Sequence, residues 1–162
     1  MKIEIREFCD KDITQSIEIW NDIVEQGIAF PQTEILNQQT GKEFFRQQSF
    51  TGAAFDDSNH IVGLYILHPN NIGRCGHICN ASYAVKSSMR GHRIGERLVC
   101  HSMDKGKDLG FKILQFNAVV SSNVSALALY KKLGFTQLGV IPKGFQMKNG
   151  EFEDIIPHYI TL

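Results

Sequence analysis

Arg90-Gly-His-Arg-Ile-Gly95 stands between a strand-like run and a helical one, and that placement gives it chemistry. Gly91 and Gly95 let the main chain come close to a ligand, and a helix that starts there presents unpaired amides and a positive dipole end to phosphate. Such a segment is an anion cradle made of His92, Arg93 and Ile94 between its two glycines. It is not a Walker loop, because no Gly-Lys-Ser/Thr follows, and its glycines do not fall in the G-x-G-x-x-G order of a dinucleotide fingerprint. Taken alone, a tight strand-to-helix turn explains it equally well.

A second segment, Asn123-Val-Ser-Ala-Leu-Ala-Leu-Tyr130-Lys-Lys-Leu-Gly134-Phe135, begins with a cap residue and ends with a glycine stop. Helix punctuation accounts for Asn123 and Gly134. It does not account for a hydroxyl on the face lined by Ala126, Leu129 and Leu133, where Phe or Leu would pack without a hydrogen-bond partner. Tyr130 is therefore either a functional phenol or a tyrosine at the core edge with its tip in water.

The strand-like run from His77 to Lys86 carries polar groups of its own. Asn80 and Ser82 share a parity and so point to one face of the sheet, where a buried carboxamide requires partners. Those partners are a neighbouring loop or the polar end of a substrate, and Asn117 on the adjoining strand is a further candidate. His77, as an imidazole, is a candidate general base, but a histidine at a strand end is commonly structural. No carboxylate lies between His77 and Lys86.

These groups must be held by elements that the periodicity marks out. Lys2–Phe8 alternates as a half-buried strand does, and Ile13, Ile17, Trp20 and Val24 recur at helical spacing up to Gly27. Pro31 breaks the stretch that follows, and Thr40-Gly-Lys-Glu43 reads as a capping box opening a short helix. Residues 50–55 and 61–68 form a hairpin about the turn formers 56–60. Beyond the strand 77–86 come a helix to Gly110, a strand 112–120 and a second helix stopped at Gly134. The crossover helix makes the strands at 77–86 and 112–120 parallel neighbours. Residues 135–141 and 152–161 are expected to close the sheet as antiparallel strands joined around Asn149-Gly150.

Composition bounds the function. With 162 residues, 17 Lys+Arg against 17 Asp+Glu and 43% hydrophobic residues, the chain fits one domain, 1–162, able to bury a core without disulfides or a structural metal. Zero formal net charge argues against nucleic acid or an anionic membrane as the main partner, since both reward a basic surplus. No apolar run approaches the ~20 residues of a spanning helix, and Met1-Lys-Ile-Glu-Ile lacks the regions of a signal peptide. A cytoplasmic protein is expected, with Cys9, Cys75, Cys79 and Cys100 reduced. Cys75-Gly-His77-Ile-Cys79 offers three potential metal ligands, but no second Cys/His pair follows at ligand spacing, so no metal is expected.

In this order and spacing the motifs resemble the GNAT superfamily of acetyl-CoA-dependent N-acetyltransferases. The resemblance rests on Ile3-Glu-Ile-Arg-Glu-Phe8, Ile61-Val-Gly63, Val85-x4-Arg90-Gly-x-x-Ile-Gly95, and Asn123…Ala126…Leu129-Tyr130…Gly134-Phe135, which together span most of the chain. One position departs from the family pattern: Arg93 stands where glycine is usual, and the cradle survives if residue 93 keeps a helical conformation.

The resemblance implies an α+β fold in which a mixed, mostly antiparallel sheet of about seven strands is flanked by four helices. The parallel pair of strands then splays, and the pantetheine arm of acetyl-CoA lies in the gap with its pyrophosphate over residues 91–95. Val85 would meet the pantetheine through its backbone, Asn123 would lie near the cofactor arm and Tyr130 near the sulfur. Arg90, Arg93 and Lys131 are the implied phosphate cations. The reaction implied is direct attack of an amine on the thioester in a ternary complex. Tyr130 would protonate the departing thiolate, a main-chain amide near Val85 would meet the oxyanion, and His77 or a chain of waters would serve as base.

Phe30, Phe44 and Phe45 would wall an acceptor pocket with Asn80 and Asn117, suggesting a small amine or amino acid. The ending Asn149-Gly150-Glu-Phe152-Glu-Asp154 resembles the small-amine and phosphinothricin-type branch. A protein N-terminus or lysine as acceptor, a non-catalytic acyl-CoA sensor and a nucleotide-binding regulatory domain stay open, as does a homodimer.

Overall fold

The computed structural model describes residues 1–162, and its centre is one eight-stranded sheet. The strands are β1 (Glu4–Glu7), β2 (Phe50–Phe55), β3 (Ile61–Pro69), β4 (Ile78–Val85), β5 (Ile113–Val120), β6 (Thr136–Gln137), β7 (Ile141–Gln146) and β8 (Phe152–Thr161). Their spatial order is β1-β2-β3-β4-β5-β8-β6, with β7 also paired to β8. All pairings are antiparallel except β4 with β5. Four helices flank the sheet: α1 (Ile13–Gln26), α2 (Gln38–Arg46), α3 (Ile94–Asp108) and α4 (Val124–Lys132).

Two apolar layers hold the helices to opposite faces. Trp20, Ile23 and Val24 of α1 and Phe45 of α2 pack with Leu64 and Ile66 of β3, whereas Tyr65 and Leu67 turn the other way to meet Leu98 and Val99 of α3. Covered on both faces, β3 needs no polar alternation, and its run Ile61-Val-Gly-Leu-Tyr-Ile-Leu67 is buried throughout. At Gly63 a β-carbon would come within about 3.1 Å of Ile94, Leu98 and the Ala84 carbonyl, so the missing side chain lets α3 settle directly on the sheet.

Most predicted elements appear within a residue or two of their expected bounds, and three differ. The short helix begins at Gln38, not at Thr40: the Asn37 side chain accepts hydrogen bonds from the Gln39 and Thr40 amides, and the Thr40 hydroxyl accepts from the Asn37 amide. The signal was a capping box, but Thr40 occupies its third position and Asn37 the cap. The expected strand 135–141 is a two-residue bridge at Thr136–Gln137, and the hairpin about Asn149-Gly150 joins β7 to β8, giving eight strands where about seven were expected. No helix is long and apolar enough to cross a membrane.

The feature that positions the site is the end of the parallel ladder. β4 and β5 pair only at Ile78↔Ile113 and Cys79↔Leu114, after which they diverge. β4 stays paired to β3 as far as Val85↔Gly63, while β5 stays paired to β8 as far as Val120↔Ile155. Each strand therefore keeps one satisfied edge and turns the other toward a widening gap.

Candidate active site

Which main-chain groups face that gap follows from the bonds to β3. Lys86 N–H donates to the Val62 carbonyl and Asn70 N–H to the Ile78 carbonyl, so even-numbered residues of β4 bond across to β3. Alternation then turns the amides and carbonyls of Ala81, Tyr83 and Val85 toward the gap. The Tyr83 and Val85 side chains pack on the α3 layer and line a cavity of 690 Å³.

The cradle occupies one end of this cavity. Gly91, with φ 84°, and Arg93, with φ 61° and ψ 19°, are both left-handed, and α3 begins at Ile94 with no side chain capping its first turn. Uncapped amides at a helix start are donors for an anion. Arg90, Gly91, Arg93, Ile94 and Gly95 all line the cavity. A β-carbon on Gly95 would meet only Val85, at 3.9 Å, so the chain itself leaves the space above this residue open. Residue 93 adopts the left-handed turn that a glycine would take without strain, just before α3, where a helical conformation was the condition for the cradle.

Charge at the cradle is organised by a residue that the sequence did not single out. The Glu96 carboxylate accepts from Arg93 (3.1 Å) and from Lys132 of α4 (2.7 Å), and these two bonds, Arg93 first, pull its pKa down to about 2. The bond to Glu96 turns Lys132 of α4 toward the cradle. His92 bends back on its own loop, its Nδ1 lying 3.2 Å from the Met89 and Arg90 carbonyls, and it does not line the cavity.

The far wall is α4. Asn123 caps it by accepting a hydrogen bond from the Ala126 amide at 3.2 Å and also lines the cavity, so the cap and the cofactor-side position fall on one residue. Two turns on, the Tyr130 ring lies on Phe116 (4.5 Å between centroids) and near Phe135 (5.4 Å), with its free side on the cavity. Tyr65 and Tyr83 spend their hydroxyls on His101 and Ser102, at 2.8 and 2.7 Å, whereas Tyr130 bonds no side chain. Burial holds the Tyr130 pKa above the usual phenol value, so the proton is retained at neutral pH.

Beneath Tyr130 lies a histidine that sequence reasoning missed. His158 is 1% exposed, and its ring stands edge-on to Tyr130 at 5.6 Å. Its Nδ1 lies 2.6 Å from the Ile156 carbonyl, which can only accept, so the proton sits on Nδ1 and the Nε2 lone pair has no partner. Burial lowers its pKa.

The expected acceptor residues separate into two groups. Phe30, at 7% exposure, packs tilted on Trp20 at 4.5 Å, the buried Phe45 and the half-buried Phe44 crowd the same indole, and none of the three lines the cavity. Ile28 and Ala29, just before Phe30, do line the cavity, together with Met147 of the β7–β8 hairpin. Asn80 and Asn117 are brought together, though not on the lining of this cavity: their Nδ2 groups donate to the Asn70 Oδ1 at 3.2 and 2.7 Å, bridging β4 and β5 where the ladder stops. Ser82 shares the strand face of Asn80. His77 is exposed at the closed end of the pair, its carbonyl accepting from Lys112 N–H at 2.9 Å, away from the cavity wall. Cys75 is exposed and Cys79 buried, and no group of three metal-ligating side chains converges.

Sequence and structural comparisons agree with this geometry. Residues 17–135 match the model of the "Acetyltransferase (GNAT) family". N-acetyltransferase aca1 of Schizosaccharomyces pombe is 33% identical over 99 residues, 61% of this chain; the match spans 47% of that protein, less than half its length. A GCN5-related N-acetyltransferase from Kribbella flavida superposes with a TM-score of 0.91 at 26% identity, covering 99% of this chain and 98% of that one. A phosphinothricin acetyltransferase from Sinorhizobium meliloti, solved with acetyl-CoA, gives 0.91 at 19% identity over 100% of this chain and 89% of its own. With 119 contiguous positions matched, a sheet that splits after Cys79 and Leu114, and an uncapped helix start at the mouth of the split, the chain belongs to the GNAT family of acetyltransferases.

Proposed function

We propose that residues 1–162 form one acetyltransferase domain that moves the acetyl group of acetyl-CoA to a primary amine of a small molecule, by direct attack in a ternary complex. The observation that carries this reading is the two-rung β4–β5 ladder opening onto a cavity with the phosphate cradle at one end and Tyr130 on the opposite wall. The donor set fits the proposed co-substrate: the first-turn amides of α3 with Arg90 and Arg93 suit a pyrophosphate, and the outward amides of β4 suit the amide-bearing pantetheine arm.

Each residue then has one task. The neutral amine attacks the thioester carbonyl carbon, the C–N bond forms, and charge on the carbonyl oxygen is met by an outward N–H of Tyr83 or Val85. As the C–S bond breaks, the Tyr130 hydroxyl gives its proton to the thiolate and takes one back from water. The proton lost by the amine leaves through water, because His77 lies outside the cavity and β4 carries no carboxylate. Asn80 and Asn117 hold the polar end of the acceptor. A small acceptor rests on the resemblance of Asn149-Gly150-Glu-Phe152-Glu-Asp154 to the small-amine branch.

The test has two arms. Thermal shift with acetyl-CoA, CoA, ATP and NAD should give stabilisation by the first two only, since a ligand bound to the native state alone raises apparent stability. Thiol release across a panel of small amines should then give turnover, and binding without turnover on any amine or peptide would make the domain a sensor.

A further inference from the structure

Helix α1 reaches the cradle through its last turn. Arg90 Nη2 donates to the Gln26 Oε1 at 2.9 Å, the Gln26 Nε2 donates to the Ser87 hydroxyl at 3.3 Å, and that hydroxyl donates to Asp22 at 2.5 Å. These residues are more than 60 positions apart in sequence and belong to opposite faces of the sheet. Both ends of the Gln26 carboxamide are thus used on the loop between β4 and α3, and Gln26 itself lines the cavity.

The loop has few other ties. Arg90 is exposed and follows a single 3-10 turn, Ser87–Met89, and Gly91 beside it is left-handed with nothing near its α-carbon. A long exposed side chain next to such a hinge samples many rotamers, and fixing it costs entropy at the moment of binding. A neutral carboxamide oxygen takes one N–H of the guanidinium and leaves the other four free for an anion, without the competing charge a carboxylate would bring.

We infer that Gln26 is a positioning residue for the donor substrate: it holds Arg90 in place over the cradle so that the guanidinium is ready for the pyrophosphate. The inference rests on the acetyl-CoA reading above. The same turn continues into Gly27, left-handed at φ 61°, whose carbonyl accepts from Lys148 N–H at 3.0 Å, and then into Ile28 and Ala29 on the cavity wall. The cradle and this part of the cavity wall therefore share one support.

The test compares two donors, acetyl-CoA and S-acetylpantetheine, which carries the same thioester but no pyrophosphate. Wild type should prefer acetyl-CoA in kcat/KM. Gln26→Leu should reduce that preference about 3–10-fold, Arg90→Leu should reduce it at least as far, and the double variant should add little to Arg90→Leu. Gln26→Glu, which keeps an acceptor oxygen for Arg90 but brings the competing charge, should fall between wild type and Gln26→Leu. If Gln26→Leu lowers both donors equally, or leaves the preference untouched, the assignment is wrong. CoA binding by wild type, followed by calorimetry, separates this from failure of the parent reading: no CoA binding defeats the acetyl-CoA proposal itself, whereas binding that is unchanged in Gln26→Leu defeats only the role of Gln26.

Discussion

Cys79 and Leu114 form the last rung between β4 and β5, and both are fully buried where the two strands part. One residue further along β4, Asn80 begins the stretch with no β5 partner, yet its side chain is tied through Asn70 to Asn117 of β5. Side chains thus take over from the ladder at the apex of the gap.

Asn80→Leu tests whether that carboxamide serves the acceptor. The variant should raise the acceptor KM or lower kcat/KM while acetyl-CoA affinity stays close to wild type. Loss of about 1–3 kcal/mol in denaturant stability with unchanged acceptor kinetics would instead mark the three asparagines as a purely structural bridge.

Gly95→Ala separates stability from binding at the cradle. The new methyl would meet only Val85 at 3.9 Å, and alanine favours helix over glycine, so the fold should gain about 0.5–1 kcal/mol. The same methyl projects into the space assigned to phosphate, so acetyl-CoA should bind more weakly. Paired denaturation and calorimetric titration check both signs, and tighter or equal binding would move the phosphate elsewhere.

Arg93 combines a strained backbone with a cation. Arg93→Gly should stabilise the fold by about 0.5–1 kcal/mol through relief of the left-handed turn, since the exposed pair with Glu96 contributes little. Arg93→Ala keeps the strain and should show no such gain. Both should weaken acetyl-CoA binding equally if the guanidinium contacts phosphate, and the effect should shrink at high salt.

The position of these groups was legible in unequal measure. Alternation and helical spacing located nearly every element, because a period of two or 3.6 residues is a local property of the chain. The split sheet was anticipated through family likeness and is confirmed by the register. Phe30, Phe44 and Phe45 were expected on a pocket wall, but they pack around Trp20 instead: Phe44 and Phe45 sit on the face of α2 turned to α1, and Phe30, in a loop, follows no local rule for which way it turns. Gln26, Asn70 and Glu96 went unnoticed because each has a partner 36 to 64 positions away, and His158 because only burial distinguishes it from an ordinary strand residue. Tyr83 was within reach, since it shares the parity of Val85.

His158 predicts a pH effect on stability. Burial lowers its folded pKa below the unfolded value of about 6.5, so in the window beneath 6.5 the unfolded chain binds more protons. Stability is full above that pH and falls as the solution is acidified. Urea midpoints at pH 8 and pH 5.5 should therefore differ more in wild type than in His158→Phe, and equal differences would mean the imidazole titrates as freely in the fold as outside it.

Tyr130 carries the chemical claim. Its hydroxyl bonds no other side chain, so Tyr130→Phe keeps the stacking on Phe116 and should change stability by less than about 0.5 kcal/mol. Its raised pKa also means that no alkaline limb of the rate near pH 8–9 belongs to this phenol. The most direct measurement is the single-turnover rate of acetyl transfer by Tyr130→Phe at saturating acetyl-CoA and amine, with CoA affinity determined separately. A chemical step slowed about 10²-fold at unchanged affinity is the result expected of a general acid that protonates the thiolate; a step as fast as wild type would show that Tyr130 only packs against Phe116.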